Sequence, residues 1–105
     1  MFLVTIKVNE NLIVIKTFKH KGLKKFFEYG SKGGIQAAHA AKIERILDRL
    51  NAATDLQDMN APGYDLHPLK GAFKGYYSVH VNGNWRIIFR FENGEADNVD
   101  LVDYH

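Results

Sequence analysis

The chain has 105 residues and no cysteine, with 46% apolar and 25% charged residues. That balance belongs to a globular protein able to bury one core, and it excludes a disulfide scaffold, a thiol nucleophile and a cysteine-ligated zinc site. The net charge of +2 hides a split, because residues 1–50 carry ten Lys/Arg against four Asp/Glu whereas residues 51–105 carry four against eight; a basic half and an acidic half suit a polyanion on one surface and a basic partner on another.

The opening residues are apolar, but Lys7, Asn9, Glu10 and Asn11 interrupt them. No apolar run approaches the roughly 20 residues of a membrane helix, and a signal peptide's basic start and unbroken apolar core are missing. The expectation is a soluble cytoplasmic protein. Phe2–Val8 and Leu12–Phe18 are rich in β-branched residues around Asn9-Glu10-Asn11 and read as a hairpin, or as one strand behind an extra one. His20–Tyr29 reads as a helix with Leu23, Phe26 and Phe27 inward, lysines 21, 24 and 25 outward, and Gly30 as its C-terminal cap. After the breaker Ser31-Lys32-Gly33-Gly34, Ile35–Thr54 reads as a second helix with Ile35, Ala38, Ile43, Ile46, Leu47 and Leu50 on one stripe. The short link between the two predicts an antiparallel pair. Asp55–Gly63 is a polar loop with room for one helical turn.

From there the period changes to two. Tyr64–Leu69 reads as a short strand that, with Pro68 in it, is an edge strand or is kinked there. Tyr76–Val81, Trp85–Glu92 and Ala96–Asp103 follow, separated by Asn-Gly pairs at 82–83 and 93–94 that mark hairpins. Matching apolar partners selects three-residue loops: Val81 opposite Trp85, Val79 opposite Ile87, Tyr77 opposite Phe89, then Ile87 opposite Leu101. Asn84 would be left-handed in the first loop. One sheet face then packs on the helices. The other holds Tyr76, Ser78, His80, Arg86, Ile88, Arg90, Val102 and Tyr104 and is expected to be polar and open. The predicted architecture is α+β: N-terminal strand or strands, then two helices on one face of a twisted, mainly antiparallel sheet of four to five strands.

His67 in Leu66-His67-Pro68-Leu69-Lys70-Gly71 and the terminal His105, with Lys70 and Arg86, supply two groups that titrate near neutrality and two fixed cations. Metal-independent RNA cleavage uses such a set: a base for the 2′-hydroxyl, an acid for the leaving 5′-oxygen, and cations for the phosphorane charge. Tyr104 suits stacking or phosphate alignment, and Asp103 suits orientation of a histidine. Each has a plainer reading: a surface histidine, a frayed terminus, an Arg86–Asp100 pair, a solvated lysine face. Trp85 reads as core. No metal-binding spacing, P-loop, G-x-G-x-x-G or G-x-S-x-G occurs. No metal and no cofactor are therefore expected.

Four segments resemble HigB-type toxins of the RelE/ParE superfamily: Ile15–Lys24, Leu66–Gly71, Asn84-Trp85-Arg86-Ile87 and Asp103-Tyr104-His105. The resemblance covers nearly all of residues 14–105. It implies a single toxin domain over residues 1–105, with residues 1–13 either an extra strand or an extension from an upstream start. It implies a ribosome-dependent endonuclease that cuts mRNA in the A site, with His67, Asp103, Tyr104 and His105 at catalytic positions. Lys70 and Arg86 would stand near the scissile phosphate. Lys19, Lys21, Lys24 and Lys25 would meet ribosomal RNA or mRNA phosphates. The implied partners are the ribosome, mRNA and a HigA-type helix-turn-helix antitoxin, with DNA reached only through that antitoxin. The superfamily also includes gyrase-poisoning ParE-like members that cut no RNA. A non-catalytic or degenerate, antitoxin-sequestering toxin is the second alternative.

Overall fold

The computed structural model describes residues 13–104. The expected strand Phe2–Val8 lies outside them, as does His105. Two helices, α1 (Lys21–Tyr29) and α2 (Ala40–Ala52), precede four strands: β1 (His67–Pro68), β2 (Tyr77–Asn82), β3 (Trp85–Glu92) and β4 (Glu95–Asp103). The sheet is antiparallel throughout, in the order β1-β2-β3-β4. Among the described residues no helix is long and apolar enough to cross a membrane.

Local chemistry accounts for the helix ends. The His20 ring accepts a hydrogen bond from the Leu23 amide through Nδ1 at 3.0 Å and caps α1. Gly30 closes that helix, its N–H donating to the Phe26 carbonyl at 2.9 Å. The second helix starts later than its apolar stripe suggested. A 3-10 turn over Ala37–His39 comes first, because Ile35–His39 contains no side chain that caps and no acid stands in the first turn. Beyond α2, Asp55 and Asp58 form a reciprocal capping box around a 3-10 turn, Leu56–Met59.

The core lies between helices and sheet. Leu23 and Phe26 from α1, and Ile43, Ile46, Leu47 and Leu50 from α2, are buried with Val79, Val81, Ile87, Phe89, Val99 and Leu101 from one sheet face. The second face is less open than its composition suggested. Ser78 and Ile88 are 0% and 1% exposed and Leu69 is buried as well, so its centre is covered and only its margins meet solvent.

Three expectations need correction. Leu12–Phe18 is not a ladder strand over its described part. It is an extended segment beside β4, joined by one parallel bridge, Phe18 to Val99, and by Lys16 N–H donating to the Ala96 carbonyl at 2.8 Å. A bulge at Asn98 (φ 53°) breaks the even spacing a parallel ladder requires, and Thr17 Oγ1 fills the gap by accepting from the Asn98 amide at 2.8 Å. Tyr64–Leu69 shortens to the two-residue edge strand β1. The hairpin loops are two residues long. Asn82 pairs with Trp85 and Glu92 with Glu95, and Asn93 and Gly94 both take positive φ, 53° and 76°, the signature of a type I′ turn. Gly83, not Asn84, is left-handed in the first turn. Val81 is therefore not opposite Trp85 as expected; farther from the turns the register is the expected one, with Tyr77–Phe89, Val79–Ile87 and Ile87–Leu101 opposite each other. Register shifts between His80 and Asn82, and between Ile88 and Arg90, absorb the extra residue in each hairpin.

Candidate active site

Residues directly opposite each other on neighbouring strands share a face, so pairing alone lays out the site. His67, Ser78, Ile88 and Asp100 form one row across the sheet, and His80, Arg86 and Val102 form the next row on the same face. Arg86 therefore stands diagonally across from Ser78. Its Nη1 donates to Ser78 Oγ at 3.1 Å, and its Nη2 donates to Asp65 Oδ2 at 3.2 Å. The guanidinium is held from two sides, and the Arg86 side chain is only 17% exposed.

Asp65 also organises His67. It adopts a left-handed backbone, φ 50°, which an aspartate tolerates better than most residues. In that turn its carbonyl oxygen lies 3.0 Å from His67 Nδ1, and its carboxylate Oδ2 lies 3.9 Å from the same nitrogen. A carbonyl can only accept, so Nδ1 carries the proton of this bond. The neutral ring then presents Nε2 as its lone-pair nitrogen. One aspartate thus holds a cation with its side chain and sets a histidine tautomer with its backbone. Nothing in the sequence singled out Asp65. Its position two residues before His67 carries no motif, and its role depends on a backbone conformation.

The remaining candidates are spread more widely. Lys70 is exposed at the start of a 3-10 turn, Gly71–Phe73. Tyr104 is 36% exposed; its amide donates to the Asn84 carbonyl at 2.7 Å and its ring meets Phe73 edge-on at 6.1 Å. Phe73 also meets Tyr76 at 6.1 Å, and Arg90 lies over the Tyr76 ring. Asp103 pairs with Trp85, one residue out of step with Arg86, so it belongs to the helix-side face. Lys19, Lys21, Lys24 and Lys25 are all exposed, on α1 or just before it, in the helix layer and across the sheet from His67. His80 is occupied locally, with Nε2 3.1 Å from the Gly83 carbonyl. Among the described residues no group of three His, Asp or Glu could hold a metal ion.

A neutral imidazole with a defined free nitrogen beside a fixed guanidinium can take a proton from a hydroxyl and stabilise charge that builds on a neighbouring phosphate.

Comparison with known proteins gives a consistent picture. Residues 16–105 match the family model described as the RelE-like toxin of type II toxin-antitoxin system HigB. The chain is 46% identical over 92 residues to a Proteus vulgaris protein named endoribonuclease HigB, covering 88% of this chain and 100% of that one. It is 36% identical over 89 residues to toxin HigB-1 of Vibrio cholerae, covering 80% of this chain and 90% of that one. An uncharacterized protein of Haemophilus influenzae is 29% identical over 86 residues, covering 80% of this chain and 85% of that one. The chain therefore belongs to the HigB-like family of RelE-like toxins, whose type II systems pair a toxin with an antitoxin.

Proposed function

We propose that this toxin is an endoribonuclease that cuts mRNA on the ribosome, in the cytoplasm, by general acid–base chemistry. The similarity to the Proteus vulgaris endoribonuclease supports the activity. The observation that carries the mechanism is the Asp65 contact pair, which orients His67 and Arg86 together on one face. In this reading His67 Nε2 takes the proton of the 2′-hydroxyl. The 2′-oxygen bonds to phosphorus and the P–O5′ bond breaks, leaving a 2′,3′-cyclic phosphate and a 5′-hydroxyl. His105 returns a proton to the 5′-oxygen. Arg86 and Lys70 stabilise the phosphorane charge, Tyr104 aligns the substrate and Asp103 steadies His105. The exposed lysines of the helix layer (19, 21, 24 and 25) hold RNA phosphates of the ribosome or mRNA. The antitoxin is of the HigA helix-turn-helix type and provides the contact with DNA.

Purified toxin added to programmed ribosomes tests the reading. Cleavage of mRNA with a 5′-hydroxyl on the downstream fragment is expected, much faster than cleavage of free mRNA. A folded His67→Ala variant that cuts as well as the parent would overturn the mechanism. Growth arrest with intact transcripts would overturn the nuclease reading in favour of a non-cutting, ParE-like action.

A further inference from the structure

On the helix side, away from His67, two cavities share a wall made by Gly33 and Gly34. The first, about 210 Å³, is lined by His39, Gln36 and Trp85 among others. The second, about 370 Å³, is lined by Lys21, Lys25 and Ser31 together with the glycines. The first exceeds the roughly 150 Å³ cavity that accepts a benzene ring. Its wall is aromatic and able to hydrogen-bond, whereas that of the second is cationic.

Two details point to a ligand. His39 is 5% exposed and, among the described residues, its Nδ1 has no hydrogen-bond partner, a cost that a bound polar group or water relieves. The shared wall is also bare without the fold requiring it at one position. Gly34 must be glycine, because a Cβ there would sit 2.5 Å from the Gly22 Cα. Gly33 has no such constraint: its φ is ordinary, and a Cβ would meet only Ser31 Oγ, at 3.8 Å. A side chain fits there and none is present, so the wall shared by the cationic and the aromatic cavity is backbone alone at this position.

We propose that these paired cavities bind one nucleotide of the substrate RNA strand outside the bond that is cut, with its phosphate at Lys21 and Lys25 and its base against Trp85 and His39. The inference rests on the RNA-cleaving reading above. Trp85 precedes Arg86 in the chain and pairs with Asp103, so a strand lying at Arg86 reaches the cavities by crossing the end of the sheet. Aromatic stacking with backbone-tracking cations is the usual arrangement for single-stranded nucleic acid.

Trp85 is the only tryptophan of the chain and reports on the site directly. The full-length toxin would be titrated with a 2′-O-methyl tetranucleotide, which cannot be cut. Saturable quenching of Trp85 fluorescence is expected, with a log–log salt slope of about −0.7 per phosphate held. Gly33→Val, which fills the wall, and the pair Lys21→Ala/Lys25→Ala should each weaken binding about tenfold or more with unchanged circular dichroism. His67→Gln should bind as the parent does while losing cleavage. Absence of saturable quenching, or parent-like binding by folded Gly33→Val, overturns the site. If ribosome-bound mRNA stays uncut but the Gly33-sensitive quenching is present, the nuclease reading fails and the binding site stands. On the ribosome, 4-thiouridine placed beside the cut should crosslink to the peptide containing Trp85; crosslinks from ribosomal RNA alone overturn the assignment to the substrate strand.

Discussion

Arg86 donates to Ser78 from one terminal nitrogen and to Asp65 from the other. A lysine offers a point charge in place of that fork. Arg86→Lys should therefore lower cleavage about 10²-fold, in the range of losing one oriented donor to a developing oxyanion, with little change in melting temperature. Asp65→Asn keeps the carbonyl that orients His67 but weakens the hold on Arg86. Its loss should be smaller than that of Arg86→Lys, and its pH–rate profile should keep the limb assigned to His67. Single-turnover cleavage on programmed ribosomes separates the two. Asp48 is a different case, away from the site. Desolvation on α2, with the Glu44 carboxylate one turn earlier as the second cause, raises its pKa above the ordinary aspartate value. The folded form then holds this proton more tightly than the unfolded one. Stability is lost as pH rises from the ordinary carboxylate range through the raised value. Asp48→Asn should raise the melting temperature by about 1–3 °C at neutral pH, as expected for relief of an i, i+4 like-charge pair. That gain should vanish in acid, below both pKa values, and a thermal melt series from pH 3 to 7 measures it.

At the level of elements, a side-chain acceptor and a close backbone approach add to the β4 contacts that hold the N-terminal segment and α1 in place. Asn51 on α2 accepts from the Val14 and Ile15 amides through Oδ1, at 2.6 and 3.0 Å. Asn51→Ala removes the acceptor from two partly buried amides and should cost about 1–3 kcal/mol, read from urea unfolding. The second contact is the approach of Gly22 at the start of α1 to Gly34. An alanine Cβ at position 22 would lie 2.6 Å from the Gly34 carbonyl oxygen. Backbone on both sides cannot retreat as a flexible side chain can, so Gly22→Ala should lower the melting temperature well beyond the effect of Gly33→Ala. The hairpins show how competing local rules are reconciled. Apolar matching demanded one register and Asn-Gly chemistry demanded a two-residue turn. Each hairpin keeps the inner register and a two-residue turn by inserting a bulge between turn and core, but only the second places Asn-Gly, residues 93–94, in that turn; the first uses Gly83-Asn84.

Over the whole molecule, the charge split acquires a spatial meaning. Four exposed lysines of the basic half, 19, 21, 24 and 25, sit in or beside the helix layer, and the His67–Arg86 pair lies on the opposite face of the sheet. One RNA strand cannot lie flat on both surfaces, so binding and cutting should be separable. Replacing Lys19 and Lys24 by Ala should weaken ribosome association and flatten its salt dependence by about 0.7–0.9 per lost phosphate contact, without lowering the cleavage rate of bound complexes. Sedimentation across a salt series paired with single-turnover cleavage reads both quantities. In the acidic half, Asp55, Asp58 and Asp65 are engaged within the fold, two in a capping box and one at Arg86.

Sequence alone was enough for the inward faces of α1 and of α2 from Ile43 onward, for the edge as one of two readings of Pro68, and for the inner pairing of β2, β3 and β4. These follow from periodicities of 3.6 and 2 and from the ban on proline in a central ladder, which are properties of neighbouring residues. It also carried the family resemblance and named His67 and Arg86, together with His105 and Lys70, as site candidates. Only the tertiary structure decided that Asp65 links His67 and Arg86, since the link depends on a positive φ and on a loop meeting a strand 21 residues away. The buried centre of the second sheet face, the bulge that reduces Leu12–Phe18 to a bridge, and the bare Gly33-Gly34 wall share that origin. Each arises where segments distant in the chain meet, and no local pattern records such a meeting.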